Sequence, residues 1–92
     1  MITGFRHRGL EQFFATGTKR GINAQHAAKL RRLLTALHSA RGPENLNQPN
    51  YRLHPLHGDR AGQWSVWVSG NWRLVFEFDG TDVTGVDLVD YH

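Results

Sequence analysis

The sequence predicts an α+β domain in which a short N-terminal strand and two helices pack on one face of an antiparallel sheet, in the order β-α-α-β-β-β. Three observations carry that prediction. Apolar residues recur at helical spacing between residues 8 and 39. Beyond about residue 63 the apolar period changes to two. Ser69-Gly70-Asn71 and Asp79-Gly80 then supply hairpin turns between the alternating runs. Ninety-two residues make a single domain, 1–92, with one core.

Residues 2–6 read as a short strand. From Arg8 to Ala15, Leu10, Phe13 and Phe14 fall on one side of a helix that ends near Gly17. Residues 16–21 form a polar, basic turn. Asn23 is placed to cap a second helix running to about Ser39, because its side-chain oxygen can accept from the free N–H groups of the first turn. In that helix Ala27, Leu30, Leu34 and Leu37 make one apolar stripe with Leu33 beside it, while Lys29 and Arg32 fall mainly on the other side.

Gly42, Pro43 and Pro49 make residues 41–50 a loop, with at most one helical turn at Pro43-Glu44-Asn45-Leu46. In residues 63–69, Trp64, Val66 and Val68 alternate with Gln63, Ser65 and Trp67. In residues 71–78, Trp72, Leu74, Phe76 and Phe78 alternate with Asn71, Arg73, Val75 and Glu77. A third strand, about residues 81–88, completes the meander. The apolar sets should meet the helices, leaving Gln63, Ser65, Asn71, Arg73 and an exposed Trp67 on the opposite face. Trp67 there is either a stacking platform or a residue packed under a loop.

There are no cysteines, so disulfides and thiolate zinc sites are excluded. No basic-then-apolar leader and no membrane-length apolar run occurs, which makes a soluble cytoplasmic protein the expectation. The net charge of +3 conceals a division. Residues 1–60 carry ten Lys/Arg against three Asp/Glu, and residues 61–92 carry one against five. A basic surface of this kind suits a polyanion or an acidic partner, although a solvated face gives the same pattern. Arg73, the one basic residue after position 60, is either a structural salt-bridge partner or a site residue.

His54 and His57 share one short loop, and the chain closes on Asp90-Tyr91-His92. Two histidines three apart suggest a metal, but Pro55 between them breaks the helical geometry that would aim both at one ion, so no metal or cofactor is expected. Imidazole, phenol and guanidinium together are what metal-free cleavage of a phosphodiester requires. RNA's own 2′-OH is the nucleophile, imidazole exchanges protons near neutrality, and the guanidinium fork donates two hydrogen bonds to phosphate oxygens.

These residues carry a family resemblance. Tyr51-x-Leu53-His54-Pro55-Leu56-x-Gly58-Asp59-Arg60-x-Gly62-x-Trp64-Ser65, then Asn71-Trp72-Arg73 and Asp90-Tyr91-His92, resemble the HigB toxins of the RelE/ParE superfamily, and Phe5-Arg6-His7-x-Gly9-Leu10 extends the match. The resemblance implies a RelE-like fold. It also implies a ribosome-dependent mRNA endonuclease that enters the A site of the 70S ribosome and cuts by 2′-OH attack, leaving a 2′,3′-cyclic phosphate. A HigA-type helix-turn-helix antitoxin is the implied partner, and operator DNA is reached only through it.

The implied site is His54, His57, Arg73, Asp90, Tyr91 and His92. Arg73 and a protonated His57 would stabilise the phosphorane. His54, Tyr91 and His92 would divide base, acid and orienting roles, and Asp90 would orient an imidazole. Lys19, Arg20, Lys29, Arg32, Arg60 and Asn71 are the candidate RNA contacts. Two positions depart from the family pattern: His57 stands where lysine is usual, and Trp67 where a smaller residue is expected. Two other readings stand beside this one: a ParE-like toxin that inhibits DNA gyrase by binding, and an attenuated toxin acting mainly as a co-repressor bound to its antitoxin.

Overall fold

Leu10, Leu30, Leu34, Leu37, Leu74 and Phe76 have no measurable exposure, and they come from both helices and the central strand of one sheet. The computed structural model describes residues 1–91, and His92 lies outside the described residues. Helix α1 spans Arg8–Thr16 and α2 spans Ala27–Ser39. The sheet contains β1 (His54–Pro55), β2 (Gln63–Ser69), β3 (Trp72–Asp79) and β4 (Asp82–Asp90), all antiparallel and adjacent in chain order. This is the expected α+β arrangement, two helices against an antiparallel sheet.

Helix α1 starts where His7 Nδ1 accepts the Leu10 N–H at 3.0 Å, so an imidazole replaces the usual Ser, Thr or Asp cap. It stops at Gly17, whose left-handed φ of 80° lets its N–H reach the Phe13 carbonyl at 2.8 Å. Leu10 and Phe13 are buried. Phe14, expected in the same stripe, is instead 37% exposed and lies along the rim between the rings of Phe5 and His38. Asn23 caps as expected, accepting from Gln25 N–H at 2.9 Å, but it opens one 3-10 turn, Ala24–His26, before α2 begins. Ala27, Leu30, Leu33, Leu34 and Leu37 form the buried stripe of α2. Gly9 and Gly21 lie so close that a methyl group on either would strike the other's backbone, which seats the start of α1 directly on the residue 17–22 loop.

The N-terminal segment is not a regular strand. It makes two isolated parallel bridges to β4, Ile2 with Val83 and Phe5 with Val86, and the Ile2 N–H is bound to His38 Nδ1 at 3.1 Å. The loop expected at residues 41–50 holds the 3-10 turn at Pro43–Leu46, and a second follows at Pro49–Tyr51. His54 and Pro55, read from sequence as part of a loop, form the edge strand β1, pairing with Ser65 and Trp64. Two irregularities bend the sheet. One lies at Val68 on β2, where the register shifts between Trp67 and Ser69. The other lies in β4 around Gly85, which takes φ 65°. No helix is long and apolar enough to cross a membrane among the described residues.

Candidate functional site

Strand pairing places His54 and Arg73 on the sheet face turned away from the helices. One cross-strand row runs His54, Ser65, Val75, Asp87, and the next runs Trp67, Arg73, Val89. Tyr91 continues the face, its N–H bonded to the Asn71 carbonyl at 2.8 Å. Ideal strand spacing puts the Arg73 Cα about 8 Å from that of Tyr91 and about 12 Å from that of His54, on opposite diagonals. His54 and Tyr91 therefore flank Arg73 on either side of the same face.

The face is less open than alternation alone suggested. Ser65 and Val75 are each 1% exposed, yet Val75 is not part of the helix-side core. They form the floor of the face between larger neighbours. Arg73 is half-buried, and its Nη1 is buried with no hydrogen-bond partner among the described residues. A guanidinium N–H removed from water without an acceptor is unfavourable unless a ligand completes it. Among the described residues Arg73 makes no salt bridge, and the ion pair found there joins the Met1 amino group to Asp82.

His54 is exposed on β1. His57 is exposed at the start of the 3-10 turn Gly58–Arg60, within the β1–β2 connection closed by Leu56 N–H to the Gln63 carbonyl at 2.9 Å. No hydrogen bond joins His54, His57, Arg73 and Tyr91 to one another. Asp90 pairs with Trp72, so alternation sets it on the other side of β4 from Tyr91. Of the candidate RNA contacts, Lys19, Arg20, Arg32 and Asn71 are exposed and Lys29 is half-buried. Arg60 donates from Nη1 to Gln63 Oε1 at 3.2 Å and so also ties its own loop. No group of three or more His, Asp or Glu side chains converges as a metal-ligand set among the described residues. A groove of about 370 Å³ between α1 and α2, lined by Phe13, Phe14, Arg31, Leu34 and Thr35, belongs to the helix layer and contains none of these residues.

Sequence reasoning missed two features. Trp67 is not openly exposed. It is half-buried, its indole N–H donates to the Gly70 carbonyl at 2.9 Å, and two cations lie over its ring: the Arg52 guanidinium at 4.3 Å and the Lys29 ammonium at 5.3 Å. His26 is buried at the entry to α2, its ring edge-on to Trp72 at 5.9 Å and its Nδ1 without a hydrogen-bond partner among the described residues. The basic excess of residues 1–60 was a sign of the first feature, but nothing in the sequence showed which cations converge.

Comparison with known proteins identifies the family. The family model described as "RelE-like toxin of type II toxin-antitoxin system HigB" matches residues 3–92. The chain is also 40% identical, over all of both chains, to a Proteus vulgaris protein named "Endoribonuclease HigB". The resemblance noted in the sequence is therefore a relationship, and the chain belongs to the HigB family of RelE-like toxins from type II toxin–antitoxin systems.

Proposed function

We propose that this chain is an endoribonuclease that cleaves translated mRNA in the ribosomal A site without a metal, arresting translation and growth. The observation that carries the reading is Arg73: half-buried on the polar sheet face, its Nη1 is buried without a hydrogen-bond partner among the described residues, and His54 and Tyr91 lie on opposite diagonals from it. The name of the 40% identical relative supports the same activity.

In the reaction the RNA 2′-OH loses its proton and attacks the adjacent phosphorus. The bond to the 5′ oxygen breaks, and that oxygen takes up a proton. The products are a 2′,3′-cyclic phosphate and a 5′-hydroxyl. Arg73 donates to the non-bridging oxygens as charge builds on the phosphorane, and donors pre-aimed in this way act more strongly in the transition state than in the ground state. His57, when protonated, adds a second cation. His54, Tyr91 and His92 divide the proton-transfer and orienting roles, and Asp90 orients an imidazole.

Lys19, Arg20, Lys29, Arg32, Arg60 and Asn71 contact RNA, the cations through phosphates, which give affinity without sequence choice. As a type II toxin the chain has an antitoxin partner. We take that partner to be of the HigA helix-turn-helix type, with operator DNA reached through it and the cytoplasm as the site of action.

The test is induction with and without the antitoxin, mapping mRNA 5′ ends. Codon-phased cuts on translated messages, lost in Arg73→Ala and His92→Ala, are the expected result. Growth arrest with DNA damage and no cuts would instead indicate a gyrase inhibitor, and full toxicity of both variants at equal expression would overturn the site.

A further inference from the structure

Lys29 on α2 and Arg52, the residue that ends the 3-10 turn Pro49–Tyr51, are remote in sequence, yet both lie over the indole of Trp67. The centroid distances, 5.3 and 4.3 Å, bound the separation of the two charges at their sum. Two like charges this close repel. No carboxylate is within ion-pair distance of either among the described residues. Attraction to the electron-rich ring face is the interaction that holds each cation there.

Two independent features show that the arrangement is built. Arg52 takes φ 50°, ψ 50°, making it the one non-glycine residue with positive φ among those described. That conformation suits glycine or asparagine, and a long side chain in it reflects a constraint at a functional position more often than chance. The ring itself is fixed, because the Trp67 indole N–H is bound to the Gly70 carbonyl and its backbone pairs with Arg73.

We propose that Arg52 and Lys29, pre-ordered on Trp67, form a second phosphate subsite that holds the RNA backbone beside the phosphodiester engaged by Arg73. The subsite rests on the nuclease reading for its place beside Arg73. Its ligand is an RNA phosphodiester, supplied either by the message or by ribosomal RNA. Ordering two long cationic side chains before RNA arrives removes part of the entropy loss of binding. Trp67 therefore acts as a positioning residue, through the cations it supports.

Two probes test this: a short single-stranded 2′-O-methyl RNA, which has no 2′-OH and cannot be cut, and vacant 70S ribosomes. Binding is measured across a salt series. Arg52→Gln and Lys29→Gln should each weaken binding roughly three- to tenfold at low salt and reduce the salt slope by about 0.7. Trp67→Leu keeps every charge, so it should weaken binding while leaving the slope nearly unchanged, and Trp67→Phe should restore much of the affinity. Loss on the oligonucleotide assigns the subsite to the message, and loss on vacant ribosomes alone assigns it to ribosomal RNA. Both outcomes support the subsite. If Arg52→Gln and Lys29→Gln match the parent on both probes, the subsite does not exist. Message cleavage by the parent chain is scored separately: a parent that cleaves while the variants bind normally loses only the subsite, whereas one that never cleaves loses the nuclease reading itself.

Discussion

Trp67 and Arg73 are direct cross-strand partners near the hairpin end of β2 and β3. One carries two cations on its ring, and the other holds a buried guanidinium nitrogen without an acceptor among the described residues. A polyanion laid across this pair meets three positive charges on three different elements.

Arg73 should trade stability against activity. Arg73→Met keeps much of the side-chain length and removes a buried donor that makes no hydrogen bond, so unfolding free energy should hold or rise by about 1 kcal/mol. Message cleavage should fall at least about 10²-fold, because the donor aimed at developing charge is gone. A urea midpoint that drops clearly below that of the parent would show that Arg73 has a structural partner after all.

Position 57 tests the value of a second cation beside Arg73. His57→Lys puts an ammonium group where the parent has an imidazole, so cleavage should rise several-fold. No gain in cleavage rate or toxicity would show that added charge at this position does not assist the reaction.

The contact of α1 with the residue 17–22 loop should tolerate no added carbon. A Cβ on Gly9 would collide with the Gly21 carbonyl, and that neighbour is backbone, which cannot swing aside. Gly9→Ala should destabilise by about 1–3 kcal/mol despite its better helix propensity. Chemical denaturation gives the sign directly.

Removing the Asn23 side chain should be milder. Asn23→Ala deletes the acceptor for Gln25 N–H and should lower stability by about 1 kcal/mol, with cleavage per folded molecule unchanged. A larger loss of cleavage than of folded protein would tie the entry to α2 to the site.

The elements with regular periodicity were legible. The Leu30, Leu34, Leu37 stripe defined α2, and strict alternation placed Arg73 on the face away from the helices, because both patterns repeat often enough to fix a period. Short or irregular features were not. A two-residue strand at His54–Pro55 has no period to read. Gly85 breaks the alternation of β4, so that Val83 and Val86, three apart, both reach the core. The His7 cap and the left-handed Arg52 depend on contacts that only the folded chain creates. Of the candidate site, the residue types and the face that carries Arg73 were visible in advance. The convergence of Arg52 and Lys29 on Trp67 was not, since it joins three segments that are distant along the chain.

Both outer margins of the sheet are covered over short stretches only: residues 1–7 hydrogen-bond to Val83 and Val86 of β4, and the His54–Pro55 pair covers part of β2. An uncovered strand is a template for another chain to add itself, and proline, lacking an N–H, is a poor surface for such addition. Bringing Ile2 to Val83 closes almost the whole chain into a loop, at an entropy of about 4 kcal/mol. Trimming or loosening the first few residues should first show itself as self-association through the bared Val83–Val86 stretch of β4, with Tyr91 at the far end of that strand still held to Asn71.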